Sequence, residues 1–118
     1  MTRNNILIDK TIDYAIRISQ CYKYLIEEKK EYIMSKQVYR SGTSIGANVA
    51  EGKTAQSEAD FINKLSIALK EANETKYWLT LLYKSETISK EEFLSIENDI
   101  NTIIGTLIII LKKKKGMN

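Results

Sequence analysis

The sequence predicts an all-α protein: an antiparallel, up-down-up-down four-helix bundle built as one domain over residues 1–118. Three observations predict it. Proline is absent and glycine occurs only five times, so few positions interrupt a helix. Four stretches repeat apolar residues every three or four positions, the period of one helical face. The connections between them are short, which makes successive helices antiparallel neighbours.

The first helix is expected over about 8–28. Its apolar face reads Ile8, Ile12, Ala15, Ile16, Ile18, Tyr22, Leu25 and Ile26, and the charged run from Glu27 to Glu31 marks a connection. The second is expected over about 35–51, with Ser35 as N-cap and Gly52 just past the end. Gly42 and Gly46 lie inside it, and each costs roughly 1 kcal/mol relative to Ala. Gly42, Gly46 and Ala50, spaced four apart, form a smooth strip that admits a neighbouring helix closely. A phosphate-cradling loop is excluded there, because neither a strand-to-helix glycine pattern nor a P-loop lysine surrounds it.

The third helix is expected over about 57–85. Ser57 with Asp60 resembles a capping box, and Phe61, Leu65, Ala68, Leu69, Ala72, Leu79 and Leu82 recur at helical spacing. The fourth is expected over about 90–114, opened by the capping box of Ser89 and Glu92. Its inner face reads Ile96, Ile100, Ile103, Ile104, Leu107, Ile108 and Leu111, while Ile109 and Ile110 add apolar surface on other sides. A helix apolar nearly all round is buried on more than one face, so this one is expected to enter a subunit interface.

Composition excludes several chemistries. Histidine is absent and Cys21 is the sole cysteine, which rules out a Ser-His-Asp or Cys-His nucleophile, an intrachain disulfide and a cysteine zinc cluster. No catalytic, cofactor-binding or metal-ligating residues are expected, and the protein reads as no enzyme. Near the N-terminus, Ile6–Ile8 is the apolar run, shorter than the roughly 7–15 residues of a secretory signal. Residues Ile103 to Leu111, interrupted by Gly105 and Thr106, fall short of the roughly 20 needed to span a membrane. A soluble cytoplasmic protein with no membrane partner is expected.

The charge is local. Lysine and arginine total 18 against 15 acidic residues, but Lys112, Lys113, Lys114 and Lys115 supply four of the 18. Without them the body is nearly neutral, and the basic character sits in a C-terminal tail, residues 112–118. Such lysines offset the helix macrodipole, or they hold phosphates.

A polar stripe lies beside the core. Gln37, Arg40, Ser44, Asn48 and Glu51 share one face of the second helix, and Glu71 and Glu74 lie three apart on the third. An unpaired buried charge costs several kcal/mol, roughly, so these groups are expected to satisfy one another. Arg40, with its planar fork, is expected to pair with Glu74 or Glu71, and Ser44 and Asn48 to take up the remaining donors and acceptors.

The run Tyr39-Arg40-Ser41-Gly42-Thr43-Ser44-Ile45-Gly46-Ala47-Asn48-Val49-Ala50-Glu51-Gly52 resembles the signature of the bacterial four-helix-bundle family of 23S rRNA intervening-sequence proteins. The likeness continues from Phe61 to Thr75, and Lys70 and Glu71 depart from the small residues many relatives carry there. The resemblance implies an antiparallel bundle assembled as a homopentameric ring. It also implies kinship in fold with the accessory variability determinant of diversity-generating retroelements, which binds nucleic acid through a basic ring surface and partners a reverse transcriptase. Arg40, Ser44, Asn48, Glu51 and Glu74 occupy motif positions that serve the bundle interior. Two functions follow as expectations. One is an oligomeric accessory protein binding RNA or DNA through Lys112–Lys115, five copies carrying a formal +15 from +3 each. The other is a protein-interaction scaffold with no nucleic-acid role.

Overall fold

The computed structural model describes residues 3–116. Four helices follow in order: α1 (Arg3–Glu27), α2 (Met34–Lys53), α3 (Glu58–Lys84) and α4 (Lys90–Lys114). Among the described residues there is no strand. Each helix packs on the next, and α1 also meets α4, so the chain is an antiparallel four-helix bundle. The core runs along its axis, through Leu7, Ile18 and Leu25 of α1, Val38 and Ile45 of α2, Leu65, Leu79 and Leu82 of α3, and Ile100 and Leu107 of α4.

Local chemistry sets the helix ends. The Ser89 hydroxyl accepts from the Glu92 N–H at 3.1 Å, and the Glu92 carboxylate accepts from the Ser89 N–H at 2.7 Å, a complete capping box. Those bonds hold the Glu92 carboxyl below its ordinary pKa. Ser57 caps α3 by accepting from the Asp60 N–H. The start of α2 differs from expectation. The helix begins at Met34, and Ser35 caps nothing. Instead the Glu31 carboxylate accepts from the N–H groups of Ile33 at 3.3 Å and Ser35 at 2.7 Å, so an acid four residues upstream supplies what a cap would. Gly52 is also not a left-handed terminator; it lies inside the last turn of α2, where a Cβ would stand 2.8 Å from Leu65 Cδ1.

The glycines inside α2 mark where α1 comes close. A Cβ on Gly42 would lie 2.8 Å from Ile18 Cγ1, and one on Gly46 would lie 3.0 Å from Thr11 Oγ1. Ala50 is exposed, so the smooth strip ends at Gly46. This approach fixes the roll of α1, and the roll corrects the expected core face. Leu7, Thr11, Tyr14, Ile18 and Leu25 point inward, whereas Ile12 and Ile16 are 52% and 53% exposed. They line a groove of about 450 Å³ against Tyr39, Thr43 and Ala47 of α2. On α4, Ile110 is buried while Ile108 and Ile109 remain exposed, so Ile108 leaves the expected inner face and Ile110 joins it. By length and composition α4 is apolar enough to cross a membrane, yet seven of its residues, from Phe93 to Leu111, are buried in the bundle.

Two glycine substitutions should move stability in opposite directions. Gly42→Ala forces a methyl into Ile18, and overpacking of about 1–3 kcal/mol outweighs the ~1 kcal/mol gain in helix propensity. Gly105 of α4 has no atom within 4 Å of an added Cβ among the described residues. Gly105→Ala should therefore raise the thermal midpoint while Gly42→Ala lowers it, as circular-dichroism melts would show.

Candidate functional site

The expected polar stripe resolves into two separate groups on the α2–α3 seam. In the first, Arg40 bridges both acids of α3. Its Nη1 donates to Glu71 Oε2 at 3.0 Å, its Nη2 donates to Glu74 Oε2, and its Nε reaches Gln37 Oε1 at 3.4 Å. The α3 backbone places both carboxylates there because residues three apart share a helix face. Trp78, one turn beyond Glu74, donates its indole N–H to Glu74 Oε2 at 3.0 Å. The Trp78 bond first, then the Arg40 guanidinium, hold the Glu74 carboxyl below the usual carboxylate range. The bond to Glu74 in turn raises Arg40 above its ordinary value. A carboxylate held in this way stays ionised near neutrality, which suits a cross-helix tie better than proton transfer.

Below this tie sits a buried hydroxyl pair. Thr75 Oγ1 lies 2.8 Å from Ser41 Oγ and 2.8 Å from the Glu71 carbonyl, while Ser41 Oγ donates to the Gln37 carbonyl. Both residues are fully buried, so α2 and α3 are joined by hydrogen bonds inside a mostly apolar core.

Ser44, Asn48 and Glu51 do not join Arg40, contrary to expectation. Ser44 Oγ donates to the Arg40 carbonyl at 2.6 Å, and Asn48 Nδ2 to the Ser44 carbonyl at 2.9 Å. Both spend their polar atoms on their own helix. Glu51 lies about 16 Å along the helix from Arg40 at ~1.5 Å per residue. It pairs with Lys64 Nζ at 3.1 Å, and this bond raises the Lys64 pKa.

The four lysines close α4, whose end at Lys114 is where the sequence places it. Lys112, Lys113 and Lys114 form its last turn and Lys115 is its C-cap. Of the other expected tail residues, Gly116 follows in a left-handed turn, and 117–118 lie outside the described residues. Lys114 is engaged: its Nζ sits 3.3 Å from Glu58 Oε1 and 5.3 Å from the centre of the Phe61 ring. Lys112, Lys113 and Lys115 are exposed and make no salt bridge with a described residue.

One polar tie had no expected counterpart. Across the α1–α4 seam, Arg17 Nη1 donates to Asp99 Oδ2 at 2.6 Å and to the Ser95 carbonyl at 3.2 Å, and Nη2 donates to Ser95 Oγ. Clefts of about 270 and 250 Å³ flank it. The phenol of Tyr14 is buried nearby with no hydrogen-bond partner among the described residues, and its burial raises its pKa. Burial likewise pushes the Cys21 thiol up to about 11, so it stays protonated and unreactive near neutrality. Trp78 could have been found from its i+4 spacing to Glu74. The Arg17 tie spans 82 residues in sequence and leaves no local signal.

The model of the 23S rRNA-intervening sequence protein family matches residues 3–108. Among solved structures, a protein of unknown function from the S23 ribosomal protein family of Bacteroides thetaiotaomicron is 56% identical. The match covers 94% of this chain and 99% of that one, with a TM-score of 0.92. No curated protein matches the chain.

Removing Arg40 should expose the strength of the tie. Arg40→Ala leaves the nearly buried Glu71 unpaired, and because Arg40 is half exposed the loss should be about 1–2 kcal/mol. Arg40→Lys should recover only part, since an ammonium cannot fork to both acids. The pH dependence carries a definite sign. Glu74 titrates lower folded than unfolded, so its contribution is complete above the ordinary carboxylate pKa of about 4.3 and disappears as pH falls through the lowered value. The gap in thermal midpoint between wild type and Glu74→Gln should be widest near neutrality and close in acid; a gap independent of pH would contradict the assignment.

Proposed function

As the chain belongs to the 23S rRNA-intervening sequence protein family, we propose that it is a non-enzymatic, cytoplasmic accessory protein that assembles as a homopentameric ring and binds RNA through a basic surface of that ring. The observation that carries this reading is the end of α4. A nearly neutral body ends in four lysines, and three of them, Lys112, Lys113 and Lys115, are exposed and make no salt bridge among the described residues. Helix geometry spreads those three ammonium groups around the last turn, where they also meet the negative end of the helix dipole. Repeated around a ring, such ends concentrate positive charge on one rim. Charges placed this way grip phosphates without reading bases.

Assembly has its own support. Ile108 and Ile109 on α4 and Ile12 and Ile16 on α1 stay exposed in one protomer. Exposed apolar side chains grouped on a helix surface are the usual material of an interface between copies. These exposed residues also favour a second reading, a scaffold that binds a protein partner and no nucleic acid. A pull-down from nuclease-treated lysate discriminates, since a partner retained without RNA supports the scaffold.

Replacing Lys112, Lys113 and Lys115 together by Gln should weaken RNA binding and flatten its salt dependence. The log–log slope should fall by about 0.7 for each single-strand phosphate that is no longer neutralised. Lys114→Gln should cost less affinity and more stability, because it removes the Glu58 and Phe61 interactions. Native mass spectrometry at two salt concentrations, with and without RNA, reads both subunit number and binding. Ile109→Glu should lower the subunit number, and a lone wild-type protomer at high micromolar concentration would overturn the ring.

A further inference from the structure

At the opposite end of the bundle from the α4 lysines, four side chains surround an open pocket of about 370 Å³: Tyr22 of α1 and Lys36, Tyr39 and Arg40 of α2. Each of the four is an aromatic or a cation. Tyr22 and Tyr39 meet edge to face, with ring centres 4.9 Å apart and planes at 90°. That arrangement uses the edge of one ring and the face of the other, and Tyr39 is 39% exposed in one protomer, where it also lines the groove of Ile12 and Ile16. The Nη atoms of Arg40 are turned toward Glu71 and Glu74, yet its side chain is half exposed. Its charge is therefore already paired where the side chain lines the pocket. The free charge is Lys36, which is exposed and makes no salt bridge with a described residue.

We propose that this pocket is a single-strand RNA subsite, in which Tyr39 stacks on an unpaired base and Lys36 holds the adjoining phosphate. The chemistry selects that ligand. A nucleotide uses both kinds of group at once, because every nucleobase has a π-face that stacks on an aromatic side chain and its phosphate pairs with a cation. A base inside a duplex is not free to enter, so the site favours single strands, loops and ends. The bundle is 44 Å long. Hence this pocket and the lysines of α4 meet different parts of a strand: one takes bases, the other phosphates alone. The inference rests on the nucleic-acid reading above and adds to it a preference for unpaired RNA.

The test measures fluorescence anisotropy of a labelled oligouridylate and of an RNA duplex of equal length. It uses the full chain and four variants: Tyr39→Leu, Tyr39→Phe, Lys36→Gln, and the triple Gln replacement of Lys112, Lys113 and Lys115. Circular dichroism confirms that each folds. Tyr39→Leu should weaken oligouridylate binding about tenfold and leave duplex binding unchanged, while Tyr39→Phe, which keeps the ring, should bind as wild type. Lys36→Gln should weaken oligouridylate binding and reduce its salt dependence. The triple variant should weaken both ligands. If Tyr39→Leu binds oligouridylate as wild type does while the triple variant loses both RNAs, the pocket is wrong and the basic end stands. If wild type binds neither RNA, the nucleic-acid reading fails and the pocket with it. A change in subunit number on Tyr39→Leu would make Tyr39 a contact between copies and also overturn the subsite.

Discussion

The contact between α1 and the bare backbone of α2 governs how the rest of the molecule is laid out. Ile18 rests against Gly42 so closely that a methyl group would collide with it, and Thr11 lies tight against Gly46. Two helices brought that close cannot rotate freely about their own axes. With Ile18 and Thr11 pinned, Leu7, Tyr14 and Leu25 must share the inward face, since they sit within one helical stripe of it. Ile12 and Ile16 are then carried outward, and Arg17 is carried toward α4. The exposed apolar face of α1 and the polar tie to Asp99 and Ser95 are thus two consequences of the same packing.

The other side of α2 is held by different means. Where α1 meets α2 through glycine and close packing, α3 meets α2 through Arg40, Glu71, Glu74 and the buried hydroxyls of Ser41 and Thr75. Directional bonds specify register in a way that apolar contact does not, because a shift along the helix breaks all of them together. Arg40 also joins this tie to the pocket beside Tyr39. Its Nη atoms pair with the acids of α3 while the half-exposed side chain also lines the pocket that holds Tyr22 of α1.

The four helices, the two serine caps of α3 and α4, the close approach over Gly42 and the pairing of Arg40 with the acids of α3 were all legible in the residues. Each depends on spacing within one helix or on a residue type with a single good use. What was not legible depends on the roll of one helix against another. α1 has apolar residues on two faces, and periodicity alone does not say which turns inward; the choice fell to glycines in a different helix. Glu51 shares a face with Arg40 but sits three turns away, and a pattern read as angle alone ignores that distance. The cap of α2 was missed because a carboxylate from the preceding connection does the work of the serine hydroxyl.

The last turn of α4 divides one residue type between two uses by angle alone. Four consecutive lysines differ by about 100° each around the axis, so they cannot all face the same neighbour. Lys114 falls over Phe61 and Glu58 and ties the end of α4 to the start of α3. Its neighbours on either side turn away and keep their charge in solvent. The fold therefore consumes one lysine to finish the bundle, and the other three are held at fixed directions by the helix that the first one anchors. A frayed end would present the same four charges as a moving cloud, whereas an anchored end presents three of them along directions that the helix sets.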